Sequence, residues 1–220
     1  MARGVRLTRR RPPHVRPHRP PPHGAAAWCG VAALLAAGAL LVQFSRAGPA
    51  AELAIDWQPG LAFTQPWRAW SAVWVHYSDL HLAANLAGTA LVAALGWAAA
   101  LPRRAALAWL AAWPLTQLGL LVQPALAHYG GLSGVLHAGV AIAAVQLVRE
   151  GVRRRRVLGV AILTGLVLKV LLEAPWAGPL AHPPGWDIAT APLAHASGLV
   201  AGLIACLLLL PAPPKPEPPR

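Results

Sequence analysis

The chain has 220 residues, is 56% hydrophobic and carries a formal net charge of +12 at pH 7. Soluble domains have fewer apolar residues and about twice the share of charged residues found here, so the composition excludes an ordinary soluble enzyme. The positive charge is spread over several short segments rather than gathered in one patch, which argues against a nucleic-acid-binding protein. We expect no nucleic-acid partner.

The first 24 residues are rich in arginine, proline and histidine and contain no acidic residue. This composition is typical of a disordered basic tail. A second, proline-rich tail is predicted at 211–220. Between the two tails, residues 25–210 contain long apolar stretches separated by short polar breaks, as expected of a polytopic membrane protein.

A transmembrane helix needs about 20 predominantly apolar residues. Six stretches approach that length, at 25–45, 78–98, 104–123, 133–148, 157–174 and 193–210. We therefore predict an all-α membrane protein built as a six-helix bundle. A cleaved signal peptide is the alternative for the first stretch, but that stretch is long for such a peptide, which favours a retained helix.

Arginine clusters orient the predicted bundle, because positive residues collect in the cytoplasmic loops of membrane proteins. The connections at 99–104 and 149–156 are rich in arginine, whereas Glu52, Asp56 and Asp187 lie in the connections on the other side. With six spans and the basic tail inside, both termini are predicted to be cytoplasmic.

Polar residues within the spans are costly and therefore carry functional information. His81 and Asn85 are four residues apart near the start of the second span and share one helix face. Ser133 opens the fourth span and His195 opens the sixth. Measured from the cytoplasmic ends of their spans, at about 1.5 Å per residue, Asn85, Ser133 and His195 lie at nearly the same depth. A hydroxyl, an imidazole and an amide at one depth can carry out nucleophilic acyl chemistry.

Glycines surround the predicted nucleophile and base. We expect Gly131 and Gly134 to permit the turn before Ser133 and to let neighbouring backbone approach closely. Gly198 and Gly202 follow His195 on its own side of the sixth span. They are predicted to let that span pack closely enough to bring the histidine to the serine.

Three short motifs resemble those of the rhomboid intramembrane serine proteases. They are GLSG at 131–134, HLAAN at 81–85 and AHASGLVAG at 194–202, in the order and in the spans in which rhomboids carry them. The resemblance covers about residues 25–210 and extends to the number of spans and the topology. It implies a rhomboid-like bundle that acts as a serine endopeptidase within the membrane, without a cofactor.

The resemblance also implies a role for each polar residue. Ser133 would be the nucleophile and His195 the general base of a Ser–His dyad. His81, Asn85 and the backbone N–H of Ser133 would form the oxyanion hole. Gly131, Gly134, Gly198 and Gly202 would support this site.

The resemblance implies no third, acidic residue beside the catalytic serine and histidine, and no acidic residue is visible near His195 in the sequence. Lys169 and Glu173, four residues apart in the fifth span, are interpreted as a structural ion pair near the outer surface. His137 stands where many rhomboids carry a tyrosine that packs on the catalytic histidine, so we expect it beside His195. For His76, a role in shaping the site and a position at the membrane interface both stay open.

Within the family, the chain is most similar to the rhombosortases, which are compact six-helix bacterial members. The similarity lies in HYSDLHLAAN at 76–85, in GLSGVLHAG at 131–139 and in the short chain. One departure is Ala138, because a glycine commonly follows the preceding histidine in that subfamily. The resemblance implies a multi-pass protein of the bacterial inner membrane with a periplasmic active site. Its implied substrates are membrane-anchored proteins with a C-terminal Gly-Gly motif, helix and basic tail.

Three alternatives stay open at this point. The first is a general rhomboid protease that cleaves single-span membrane proteins. The second is a membrane metal site, for which the candidate ligands are His76, His81, His137, His195 and Asp79, although no H-E-x-x-H motif occurs. The third is a non-catalytic rhomboid-like protein that binds membrane helices.

Overall fold

The structure, a computed structural model, describes residues 23–45, 48–150 and 152–210. In these ranges the chain forms eight α-helices: α1 (His23–Phe44), α2 (Pro49–Ile55), α3 (Arg68–Ser71), α4 (Asp79–Ala98), α5 (Arg103–Leu118), α6 (Ser133–Arg149), α7 (Arg153–Leu172) and α8 (Pro192–Leu209). Short 3₁₀ turns lie at Pro59–Leu61, Ala72–Trp74 and Gly119–Val122. The described ranges contain no strand beyond two isolated bridges, so the prediction of an all-α fold is confirmed.

Each of the six predicted spans coincides with one of the long helices, α1 or α4 to α8. By length and hydropathy, four helices are able to cross a membrane: α1, α4, α8, and α5 with the turn that extends it to Val122. By contrast, α6 is an apolar helix of 17 residues, and α7 begins with a run of arginines. The described residues thus support a multi-pass membrane protein, while the count of six spans stays a prediction.

The two predicted tails lie outside the described residues, with one exception. His23 and Gly24, which the sequence assigns to the basic tail, already belong to α1. Gly24 is buried, and a Cβ there would lie 2.2 Å from the carbonyl oxygen of Leu101. The first turn of α1 therefore packs directly against the connection between α4 and α5.

The central helix of the bundle is α6, which packs against α4, α5, α7 and α8. Its contact with α8 brings backbone against backbone. A Cβ on Gly198 would lie 1.8 Å from the carbonyl oxygen of Gly134, and one on Gly202 would lie 2.6 Å from that of Ala138. Small residues permit such an approach between membrane helices. As a result, the first turns of α6 and α8 lie side by side.

Arginine contacts mark the end of the bundle at which α4, α6 and α8 finish. Arg149, the last residue of α6, donates a hydrogen bond to the carbonyl of Leu210 just after α8, at 3.2 Å. Arg155, in the first turn of α7, donates to the carbonyl of Ala99 just after α4, at 3.3 Å. The arginine-rich segments therefore cluster at one end, and the first residues of α4, α6 and α8 lie at the opposite end.

Large apolar side chains cover much of the outer surface of the long helices. Six of them are more than two thirds exposed, namely Leu41, Phe44, Leu91, Leu172, Leu207 and Leu208. In water a surface of this kind is an aggregation liability, whereas the hydrocarbon of a bilayer solvates it. The distribution of apolar side chains thus agrees with a protein that is embedded in a membrane.

Candidate active site

Ser133 and His195 meet at the end of the bundle away from the arginines. Ser133 is the first residue of α6, and His195 lies in the first turn of α8. The Oγ of Ser133 is 3.0 Å from the Nε2 of His195. Both residues are half-buried. A serine hydroxyl that donates to a neutral imidazole is the arrangement from which that imidazole can accept the proton during nucleophilic attack.

The turn that presents Ser133 requires a glycine at position 131. Gly131 has φ +117°, a backbone conformation that residues with a side chain rarely adopt. A Cβ at this position would also lie 2.6 Å from the ring of His81 and 3.3 Å from the Nδ2 of Asn85. Gly131 therefore combines an unusual backbone turn with direct packing of α4 against the backbone just before Ser133.

The chain segment between α1 and α4 holds this turn in place. The backbones of Trp57 and Tyr129 exchange two hydrogen bonds, of 2.7 and 2.8 Å. The N–H of Gly131 donates to the carbonyl of Ala72 at 3.0 Å. The fully buried Asp56, next to Trp57, accepts hydrogen bonds from four side chains, those of Gln58, Arg68, Tyr77 and His128.

Tyr129 is a neighbour of the site that the sequence analysis does not identify. Its phenol is buried, and the hydroxyl lies 3.1 Å from the position that a Cβ on Gly134 would occupy. Burial raises the pKa of Tyr129, so the phenol stays protonated at neutral pH. A single aromatic residue in a loop carries no sequence signal, and its proximity to the site depends on the pairing with Trp57.

His81 and Asn85 lie side by side on α4, facing the turn before Ser133. Both side chains are buried. The Nδ1 of His81 and the Nδ2 of Asn85 have no hydrogen-bond partner within the described part of the chain. Leaving a buried polar group unpaired costs about 1–3 kcal/mol, so such atoms commonly indicate a partner that binds there. No group of the described chain uses these two atoms.

His76 lies beside His81, with ring centroids 4.9 Å apart. Its Nδ1 donates to the carbonyl of Trp74 at 3.2 Å, so its Nε2 carries a lone pair. Burial holds the pKa of His76 well below its usual range, at about 4, and the ring is therefore neutral at neutral pH. Of the two possibilities that the sequence leaves open, a buried position against His81 favours a role in shaping the site.

His137 lies against His195, as expected from its position in the sequence. The two rings stack with centroids 4.2 Å apart and an angle of 11° between their planes. The Nδ1 of His137 donates to the carbonyl of Ser133 at 2.6 Å, and its Nε2 accepts from the ammonium of Lys169 at 3.0 Å. These two contacts fix both the tautomer and the orientation of the ring.

The expectation that no acidic residue lies near His195 is wrong. The Oε2 of Glu173 is 2.6 Å from the Nδ1 of His195, and its Oε1 is 2.5 Å from the Nζ of Lys169. The predicted ion pair is therefore present, but it extends to the candidate base. Glu173 follows the last residue of α7, and α7 packs against α8. Two ionisable residues in the otherwise apolar stretch at 157–174 are the signal that could have identified this contact from the sequence.

The connection between α7 and α8 covers the start of α4. The ring of Trp186 meets that of His81 edge to face, with centroids 6.5 Å apart. Asp187 accepts a hydrogen bond of 2.8 Å from the hydroxyl of Ser78. The same hydroxyl accepts from the N–H of His81 at 3.1 Å, and Ser78 therefore caps α4.

The histidines of the site are not arranged as metal ligands. Among the described residues, no three His, Cys, Asp or Glu side chains lie close enough together to hold a metal ion. His137 and His195 instead use both ring nitrogens in contacts with protein groups. The metal-site alternative thus lacks a ligand set in this part of the chain.

Comparison with known proteins identifies the family. A family model of the Rhomboid domain matches residues 64–212, which is more than half of the 220-residue chain and includes every candidate site residue. Comparisons with curated proteins and with solved structures found no match. Rhomboid proteins are in general intramembrane serine proteases, and some rhomboid-like members are inactive. The apolar helices and this match together establish that the chain is a multi-pass membrane protein of the rhomboid family.

Proposed function

We propose that this rhomboid protein is an active intramembrane serine endopeptidase with Ser133 as its nucleophile and His195 as its general base. The observation that carries the proposal is the 3.0 Å contact between the Oγ of Ser133 and the Nε2 of His195. An inactive rhomboid-like binder has no need of this contact. The non-catalytic alternative would leave both its geometry and the neighbouring unpaired polar atoms without a function.

The proposed reaction follows from the positions of these groups. Ser133 attacks the substrate carbonyl carbon while His195 accepts the hydroxyl proton, and a tetrahedral intermediate forms. His195 then donates that proton to the leaving amine, the peptide bond breaks, and water later hydrolyses the acyl-enzyme. The buried polar atoms of His81 and Asn85 support their assignment, with the N–H of Ser133, to the oxyanion hole.

Replacing Asn85 by alanine is expected to lower kcat by about 10²–10³-fold, because the oxyanion loses one donor that acts chiefly in the transition state. Thr89→Ala is the matched control, since Thr89 is buried one turn further along α4 and donates only to the carbonyl of Asn85, at 2.8 Å. Steady-state cleavage by the two purified variants measures the difference. Equal rates in Asn85→Ala and Thr89→Ala would contradict the assignment.

The proposed orientation places the active site toward the periplasm of a bacterial inner membrane. The Ser–His pair lies at the end of the bundle opposite to the contacts of Arg149 and Arg155. Since positive residues collect on the cytoplasmic side, the site lies near the outer face, and six spans place both termini inside. Labelling of single cysteines placed in the 124–132 and 175–191 connections, with a reagent that does not cross membranes, tests this orientation.

The proposed substrates are membrane-anchored proteins that end in a Gly-Gly motif, an apolar helix and a basic tail, as in rhombosortases. Glycine suits such a site because it carries no side chain to obstruct the attack of Ser133, and because it favours unwinding of the substrate helix. A general rhomboid protease of single-span proteins is the second candidate, and the same site chemistry supports it.

Two reporters in liposomes distinguish these candidates. One ends in Gly-Gly, an apolar helix and a basic tail, and the other is a rhomboid-type substrate without Gly-Gly. Cleavage of the first reporter alone is expected, and Ser133→Ala and His195→Ala should remove it. Cleavage of both reporters would indicate a general rhomboid protease. If both stay intact and a fluorophosphonate does not label Ser133, the proposed activity is wrong.

A further inference from the structure

We propose that Glu173 is a positioning residue for His195, so that Ser133, His195 and Glu173 form a Ser–His–Glu triad within the membrane. The inference rests on the proposed function, because a triad requires Ser133 to be the nucleophile. Its basis is two contacts on opposite sides of one imidazole ring. The Nε2 of His195 is 3.0 Å from the Oγ of Ser133, and its Nδ1 is 2.6 Å from the Oε2 of Glu173.

The contact with Glu173 selects the tautomer of His195 that a general base needs. An ionised carboxylate has only acceptors, so the contact requires a proton on the Nδ1 of His195. The Nε2 then carries a lone pair and can accept the hydroxyl proton of Ser133. When His195 becomes positively charged during the attack, the carboxylate stabilises that charge without taking the proton.

Glu173 is itself held in place by a ring of hydrogen bonds that returns to the nucleophile. Its second oxygen accepts from the ammonium of Lys169 at 2.5 Å, and Lys169 also donates to the Nε2 of His137 at 3.0 Å. His137 closes the ring by donating to the carbonyl of Ser133 at 2.6 Å. Each donor in this ring faces an acceptor, and Lys169 balances the charge of the carboxylate.

The backbone also fixes the position of Glu173. The N–H of Glu173 still donates to the carbonyl of Lys169, at 3.2 Å, and the next residue, Ala174, turns the chain with φ +48°. This left-handed residue ends α7 directly after Glu173. The carboxylate therefore projects from the end of α7 next to the first turn of α8, where His195 lies.

A purely structural role, in which the Lys169–Glu173 ion pair only stabilises the end of α7, is the competing explanation for these contacts. Glu173 is 29% exposed and Lys169 is 49% exposed, and ion pairs with that access to solvent contribute little to stability. His195 is only 13% exposed and accounts for the most enclosed contact of Glu173. The geometry thus points to the orientation of His195 as the main role of the carboxylate.

The test compares Glu173→Gln, Glu173→Asp and Lys169→Met in the full-length protein in liposomes, by reporter cleavage and by the rate of fluorophosphonate labelling of Ser133. Glu173→Gln is expected to lower kcat and the labelling rate by more than about 10²-fold with little change in KM, because the amide can stabilise the wrong tautomer. Glu173→Asp should recover at least about tenfold of that loss, since a carboxylate is restored.

Comparison of the labelling rate with thermal stability separates the orientation of His195 from a purely structural role of Glu173. Glu173→Gln is expected to lower the labelling rate by far more than any loss of thermal stability accounts for, because the amide keeps the shape of the side chain but can hold the wrong tautomer of His195. Glu150→Gln is the matched control, since Glu150 pairs with Arg155 at the other end of α7. This control should keep both the labelling rate and the thermal stability of the unmodified protein.

Distinct outcomes overturn the triad and the proposed function. If Ser133→Ala still cleaves the reporter, the proposed function fails. If Ser133→Ala is inactive while Glu173→Gln keeps its labelling rate, the protease stands and the triad is wrong. If Glu173→Gln does not fold, Lys169→Met distinguishes the triad from a purely structural ion pair. If the ion pair is purely structural, Glu173→Gln and Lys169→Met should lose equal amounts of activity and of thermal stability. If the triad is correct, Lys169→Met should lose much less activity than Glu173→Gln.

Discussion

Replacing Ser133 by alanine is expected to lower the rate of substrate cleavage by about 10³-fold or more, because no other group can take over the attack on the carbonyl carbon. The bundle should fold as before. Ser133 is half-buried at the start of α6, and the variant removes only a hydroxyl group, which lies 3.0 Å from the Nε2 of His195. Cleavage of a reporter in liposomes and covalent labelling by a fluorophosphonate measure the loss.

Ser197→Ala is the matched control for this prediction. Ser197 lies on α8, close to His195 in sequence, and its hydroxyl donates to the carbonyl of Thr116 at 2.7 Å. Loss of one such hydrogen bond costs about 0.5–1.5 kcal/mol of stability and leaves the candidate nucleophile and base intact. If Ser133→Ala and Ser197→Ala cleave the reporter at similar rates, Ser133 is not the nucleophile.

Replacing Gly198 by alanine is expected to destabilise the bundle by more than about 3 kcal/mol and to remove activity, because overpacking against backbone cannot be relieved by a rotamer change. The new Cβ would lie 1.8 Å from the carbonyl oxygen of Gly134, so α8 must move away from α6. That movement also carries His195 away from Ser133. Thermal unfolding in detergent, followed by labelling of Ser133, measures both effects.

Gly165→Ala supplies the control for the effect of a helical glycine. Gly165 lies in α7, and a Cβ there would meet no atom within 4 Å. Because alanine stabilises a helix interior by about 0.5–1 kcal/mol relative to glycine, this variant should be as stable as the original chain or slightly more so. A melting temperature for Gly198→Ala that equals that of Gly165→Ala would contradict the close contact between α6 and α8.

The long helices could be predicted from the sequence because each coincides with an apolar stretch close to the length that spans a membrane. The helices fall on the six apolar stretches, and α4 and α6 begin within one residue of the predicted spans. The short helices α2 and α3 were not predicted. They are too brief to show a hydrophobic period, and they owe their position to contacts around the buried Asp56.

The candidate site could be predicted only in part. The depth of Ser133 and His195 follows from the rise per residue in helices that run in the same direction. The rotation of α6 and α8 that turns these two side chains toward each other does not follow from the rise per residue, since it depends on the contact between Gly134 and Gly198. Glu173 was missed although the same reasoning on depth applies to α7, where Lys169 lies as far from Arg153 as Ser133 does from Arg149.

The pairing of Trp57 with Tyr129 has a consequence for how the protein is made. The turn before Ser133 relies on Trp57 and Ala72 for its backbone hydrogen bonds, and both residues leave the ribosome well before Ser133 does. His195 and Glu173, by contrast, emerge late in synthesis. A nascent chain that ends at α6 therefore contains the partners of this turn but not His195, the proposed base. Under the proposed mechanism, hydrolysis therefore cannot begin before α8 packs against α6 and brings His195 to Ser133.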